Sequence, residues 1–394
     1  MMLSVYASSF ASASIGARLS QTRPWALTCI LLFLVLCLGL SGCAPLRQGP
    51  LSLSQPVTPG FGGGWFTSFD GARLGLDVYL PRARAAGGLG PCDSGEGADP
   101  APGAAACKAS AAVYAVEPDV VIIAVHGMND YAGAFRSAAS WWSTQGAAVY
   151  AYDQRGFGRS PGWMIWPQHE LMRRDLSTAV SLARARHPAA RIAVLGESMG
   201  GAVAITAFAD SVPPDADVLI LSAPGLRGWQ TLPWLYGASL WMSSHVRPDW
   251  IVVPPKGVRV TATDNNAKLR EMWFNPLVQK SNRIDSVYGV VSIMEEADQK
   301  IVDLPERVPT LMLYGARDEV ILPDGVRRAA EKMPDHVRTA YYEKGYHMLL
   351  NDLQAETVWS DVLAFIRSPA APLPSGAPGL PWGPQTAGRP ASNL

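Results

Sequence analysis

Hydrophobic positions fall into two rhythms along this chain. Short continuous apolar runs, Val120 to Val125, Ala147 to Tyr152, Arg191 to Leu195, Val218 to Leu221 and Thr310 to Tyr314, read as buried strands. Val337 to Tyr342 reads as another strand. Between them, apolar residues recur at helical spacing. Met172, Leu176, Ala179, Val180 and Ala183 mark an amphipathic helix that stops at His187-Pro188. Tyr131 to Gln145 and Asp324 to Lys332 are helical in character. A last helix carries Ala355, Val358, Trp359, Val362, Leu363 and Ile366 on one stripe. Upstream, Trp65 to Leu80 predicts a hairpin about the turn Asp70-Gly71. Strands alternating with helices predict an α/β domain, a mostly parallel sheet covered on both faces. The alternation breaks from Pro224 to about Asp303, which predicts an inserted cap. No internal repeat is visible.

The ends of the chain follow other patterns. No acidic residue precedes Asp70, and Arg18 and Arg23 lead into an apolar run from Trp25 to Leu40 that closes on Leu40-Ser41-Gly42-Cys43. A basic segment, a short apolar core and small residues predict a secretion signal over residues 1–42. Leu-Ser-Gly-Cys resembles the lipobox of bacterial lipoproteins, which implies cleavage before Cys43 and lipidation of that residue. The resemblance places the protein in the bacterial cell envelope, membrane-anchored through Cys43. Ala44 in place of an aspartate leans towards the outer membrane. Each buried acyl CH₂ would contribute roughly 0.8 kcal/mol to such an anchor. Residues 43–64 are then a Pro/Gly/Ser-rich tether, and residues 368–394, rich in Pro, Gly and Ala, a disordered tail.

Composition narrows the function. With 48% hydrophobic and 17% charged residues the chain has the makings of a large core, and 33 basic against 33 acidic residues give no reason to expect a nucleic-acid partner. Of five cysteines, Cys29 and Cys37 leave with the signal and Cys43 takes lipid. Cys92 and Cys107 remain, bracketing a Gly/Ala-rich insertion in a compartment where disulfides persist. A bridge there would contribute about 3 kcal/mol.

The chemistry concentrates in Gly196-Glu197-Ser198-Met199-Gly200, between a strand and an apolar helix. G-x-S-x-G at that junction is a nucleophile elbow with Ser198 as nucleophile. A serine hydroxyl needs a base, and the base an orienting acid. Asp318 follows the strand ending at Tyr314, and His347 follows the strand ending at Tyr342, so the chain order is Ser, Asp, His. Asp324 and Asp303 are fallback acids. His169, His187, His245 and His336 suit surface or packing roles. The backbone amides of Met199 and Met128 are candidate oxyanion donors, worth about 3–4 kcal/mol each.

Four motifs, His126-Gly127-Met128-Asn129-Asp130-Tyr131, Asp153-Gln154-Arg155-Gly156-Phe157-Gly158-Arg159-Ser160, Gly196-Glu197-Ser198-Met199-Gly200-Gly201 and Gly345-Tyr346-His347-Met348-Leu349-Leu350-Asn351, together resemble the monoacylglycerol lipase/lysophospholipase branch of α/β-hydrolases. The resemblance spans roughly Trp65 to Arg367. It implies an eight-stranded sheet, a core over residues 65–223 and 304–367 and a helical cap over 224–303. It implies Met128 as an oxyanion donor and a structural role for the Asp153–Ser160 motif. The His-Gly loop departs from the family's frequent Gly-Glu-His continuation, and the Cys92–Cys107 insertion is not a family feature. The expected activity is a lipid-anchored serine ester hydrolase acting on monoacylglycerols, lysophospholipids or similar acyl-ester lipids, with no cofactor or metal. Cap residues Trp229, Trp234 and Trp241 are candidate acyl-binding residues. With an ordinary histidine, activity rises near pH 6–7. Acyl transfer by the same triad, a peptidase on the same fold, and a non-catalytic envelope lipoprotein are the alternatives. Nothing in the sequence sets the oligomeric state.

Overall fold

A computed structural model describes residues 45–52, 56–81, 117–253 and 260–382. The expected signal peptide, the lipidated Cys43 and the Cys92–Cys107 pair lie outside the described residues. No helix among the described residues is long and apolar enough to cross a membrane.

The sheet has nine strands among the described residues: β1 (Gly60–Gly62), β2 (Trp65–Thr67), β3 (Arg73–Tyr79), β4 (Val120–Val125), β5 (Ala147–Tyr152), β6 (Arg191–Glu197), β7 (Val218–Ser222), β10 (Thr310–Gly315) and β11 (Val337–Tyr342). Their spatial order is β1-β2-β3-β5-β4-β6-β7-β10-β11. From β5 onward every pairing is parallel, while β1, β2 and β3 run antiparallel at the near edge. The parallel strands carry Val, Ile, Leu and Ala on both faces because both faces are covered, and every residue of β4, β5, β7 and β10 is buried. β4 is the switch point, with β5 on one side and β6 on the other. In such a sheet, function gathers beyond the carboxyl ends of the central strands.

Helices α1 (Arg136–Thr144) and α8 (Ala355–Arg367) cover one face. Their Trp142, Val358, Val362, Phe365 and Ile366 pack on Ile122, Val149 and Leu195. Helices α2 (His169–Arg186) and α3 (Met199–Phe208) cover the other, and α3 is buried along its whole length. Helix α7 (Pro323–Lys332) joins that face through Val326, Ala329 and Ala330. Between β7 and β10 the inserted segment forms α4 (Trp234–Val246), α5 (Asn266–Phe274), α6 (Ile284–Lys300) and a small ladder of β8 (Ile251–Val252) with β9 (Asn282–Arg283). Helix α6 is no loose lid, since its Ile293 and Ala297 belong to the main core. The cap is also pinned by Gln279 N–H to the Asn129 carbonyl (2.9 Å) and by Asn275 Nδ2–H to Tyr131 Oη (2.7 Å).

Two expectations need correction. The tail is not disordered over 368–382. Leu373 and Leu380 are buried, Trp382 packs edge-on against Tyr314 and Tyr341, and Arg338 donates to the Pro369 and Ala371 carbonyls at 2.5 and 2.8 Å. Three widely spaced apolar anchors hold a segment whose Pro/Gly/Ala composition hides them. Nor is 43–64 a free tether throughout. Gln48 donates from its backbone to Trp166 O (2.9 Å) and from Nε2 to Gly162 O (3.1 Å) and Ile165 O (2.6 Å), and β1 extends the sheet by one strand beyond the eight expected.

Candidate active site

The elbow has the geometry its glycines allow. Ser198 sits at φ 53°, ψ −117°, a strained conformation for a residue with a side chain. A Cβ added to Gly200 would lie 2.1 Å from the Val125 carbonyl oxygen, and one added to Gly196 would lie 2.5 Å from Gly200 O. Both positions therefore require glycine. The turn is held by Ser198 N–H to Ser222 O (2.9 Å), while Ser198 O accepts from Gly201 and Gly225.

Two loops bring the partners. Ser198 Oγ–H donates to His347 Nε2 at 2.9 Å, and His347 Nδ1–H donates to Asp318 Oδ2 at 2.8 Å. The other Asp318 oxygen accepts from the Val320 and Ile321 amides at 2.8 and 2.9 Å, which fixes the carboxylate. Neither fallback acid competes: Asp324 stands in the first turn of α7 and Asp303 closes a short 3₁₀ turn. Burial disfavours the imidazolium of His347, but the Asp318 hydrogen bond and charge, with the charges of Glu197 and Asp352, outweigh it and raise the pKa above 6.5. The acid limb thus belongs higher than an ordinary histidine would put it. Among the described residues neither the Met128 nor the Met199 amide has a protein acceptor. Met199 begins α3, where the free amides of a helix start favour an anion.

Three of the other histidines have structural partners. His126 is fully buried, donates from Nδ1 to Gly127 O (2.8 Å) and accepts the Gln154 amide at Nε2 (2.9 Å), so it is a strut. His169 pairs with Glu296 and His187 with Glu117 and Tyr150. The Asp153–Ser160 motif is structural as well. Asp153 accepts from the Ala132 amide and from Arg159, and Arg155 bridges Asp70 and Asp175 in the interior.

Three acids near the site escaped the sequence reading. Asp352 accepts the Tyr346 amide (2.8 Å) and Thr263 Oγ–H (2.7 Å), tying the His347 loop to the cap. Asp130 and Glu197 are buried beside the elbow, and both have raised pKa values, chiefly from burial. Their only sequence signal is their place inside two of the motifs. The cap tryptophans make no hydrogen bond or ring contact to the three triad residues among the described residues. Trp229 donates to Ser292 Oγ (3.3 Å) and packs on Tyr288, Trp241 stacks on His245, and Trp234 is 78% exposed. No group of three or more His, Cys, Asp or Glu side chains among the described residues is arranged to hold a metal.

Comparison with known proteins gives a consistent picture. Residues 116–354 match the family model Hydrolase_4, described as serine aminopeptidase, S33. A monoacylglycerol lipase of Mycolicibacterium smegmatis is 24% identical over 257 residues, covering 64% of this chain and 89% of that one. The monoglyceride lipase of Rattus norvegicus is 23% identical over 248 residues, 61% of this chain and 79% of that one. Among solved structures, the Paleococcus ferrophilus monoacylglycerol lipase aligns with a TM-score of 0.54 at 21% identity, over 64% of this chain and 95% of that one. A soluble variant of the Saccharomyces cerevisiae monoglyceride lipase aligns at 0.56 and 14% identity, over 81% and 98%.

Proposed function

Because the chain belongs to the Hydrolase_4 (serine aminopeptidase, S33) family of α/β-hydrolases, we propose that it is a serine ester hydrolase whose substrates are monoacylglycerols or closely related single-chain acyl esters. One observation carries the reading: the hydrogen-bonded series Ser198–His347–Asp318 at 2.9 and 2.8 Å, in the loops beyond strands β6, β11 and β10. Ser198 Oγ attacks the ester carbonyl while His347 Nε2 takes its proton, and Asp318 stabilises the imidazolium. The carbonyl oxygen, now an oxyanion, takes the Met128 and Met199 amides. Collapse of the adduct breaks the carbon–oxygen bond, and His347 returns the proton to the departing alcohol. Water, deprotonated by His347, then releases the fatty acid and regenerates Ser198.

The substrate class draws on the named activities of the lipase relatives and on the cap. Trp234, Leu235, Tyr236, Met242, Trp250 and Phe274 are all more than half exposed. Helix α4 carries no Asp, Glu, Lys or Arg. So large an apolar and aromatic surface suits a lipid interface better than water. Anchoring through Cys43 in the bacterial envelope would hold that surface near its substrate. A chain-length series of monoacylglycerols, beside an aminoacyl arylamide, tests the reading. Release of medium or long fatty acids supports it, and turnover of the arylamide alone replaces it with a peptidase.

A further inference from the structure

Glu197 stands one position before the nucleophile, and the ester chemistry gives it no task. Its side chain is 4% exposed, and Oε1 is buried with no hydrogen-bond partner among the described residues. An unpartnered buried carboxyl oxygen is costly and calls for a reason. Four titratable groups act on it from three directions: Asp130 from the loop after β4, His347 and Asp352 from the loop after β11, and Lys268 from cap helix α5. Asp130 and Asp352 oppose its charge, while His347 and Lys268 favour it. All four are more than nine-tenths buried, so solvent screens these interactions little.

We propose that Glu197 is a positioning residue for the reaction: its carboxylate supplies a second negative charge, besides Asp318, that stabilises the His347 imidazolium formed as Ser198 attacks. Burial, with Asp130 second, pushes the Glu197 pKa up to about 7, and its charge is in turn among the influences that raise His347. The support is therefore present when Glu197 is ionised and fades as the pH falls through neutrality. The strength of the base becomes a function of a second, coupled ionisation.

This inference rests on the Ser198–His347 reading, and its test has a readout that needs no turnover. The imidazole of His347, assigned with His347→Gln, is titrated by NMR in wild type, Glu197→Gln and Glu197→Asp. Glu197→Gln should lower the His347 midpoint by about half a pH unit or more, from the loss of a charge interaction in a poorly screened site. The acid limb of kcat/KM should move down by the same amount, and Glu197→Asp should stay near wild type. A midpoint unchanged or raised in folded Glu197→Gln overturns the proposal. Should Glu197→Gln fail to fold, the wild-type curve decides: a titration broadened by coupling supports the proposal, and a single-site curve overturns it. A shifted imidazole without any ester turnover would refute the ester reading and leave the charge coupling standing.

Discussion

Arg155→Met probes the scaffold that holds the site without touching the reaction. The Arg155 side chain is 1% exposed and makes four hydrogen bonds of 2.7–2.8 Å, two to Asp70 and two to Asp175. Methionine fills much of the space but leaves two buried carboxylates unpaired. Removing one partner of a buried ion pair costs about 3–5 kcal/mol, against a total stability of about 5–15 kcal/mol for a domain. The variant should therefore be folded but marginal at neutral pH. The pH dependence identifies the cause. In wild type the Arg155 hydrogen bonds, with the Leu51 and Ala72 amides, overcome the burial penalty and lower the Asp70 pKa. That contribution is present above the unfolded pKa, near 3.8, and is lost as the pH falls through the folded one. In Arg155→Met the folded carboxylates should titrate above the unfolded value, so the variant gains stability as the pH falls through them. The difference between the two proteins should be largest at pH 7.5 and smaller at pH 5. Urea unfolding at both values measures it. A loss below about 1 kcal/mol at pH 7.5, or one that grows at pH 5, would refute the reasoning. The folded fraction should keep its kcat/KM.

Further outcomes follow from the same geometry. Asp318→Asn should lower kcat by roughly 10³–10⁴-fold with an unchanged melting temperature, because the wrong tautomer faces Ser198; stopped assays and calorimetry check both. The acid limb of kcat/KM should have its midpoint above 6.5, the value from which the Asp318 interaction raises His347, and a midpoint below it would count against that hydrogen bond. Leu380→Ala should destabilise by about 2–4 kcal/mol, since Leu380 is 1% exposed in the main core; denaturant midpoints report this, and a neutral result would mean the tail is not docked.

The parts legible in the sequence were those whose physics is local. Continuous Val/Ile/Leu runs could only be strands covered on both faces, and β4, β5, β10 and β11 begin and end within a residue of where the pattern put them. The elbow was legible because a turn at φ 53°, whose flanking backbone leaves no room for a Cβ at Gly196 or Gly200, demands glycine at fixed places. Asp318 emerged over Asp324 and Asp303 because strand ends carry the chemistry. What stayed hidden depends on contacts between distant segments. Asp130, Glu197 and Asp352 are ordinary carboxylates until the end of β6 and two loops bury them together. Gln48 docks through bonds to a loop more than a hundred residues away, which no window of sequence contains. The docked tail is invisible to composition, which weighs every residue alike, whereas a few anchors hold it: Leu373, Leu380 and Trp382, with the Arg338 hydrogen bonds.

The proposed mechanism requires Ser198 to form the acyl-enzyme. Monoacylglycerol hydrolysis by wild type and Ser198→Ala, with fatty acid release followed over the same folded concentration of each, tests it most directly. Rapid release by wild type and a loss of at least about 10³-fold in the variant are expected; comparable release by folded Ser198→Ala would show that Ser198 is not the nucleophile.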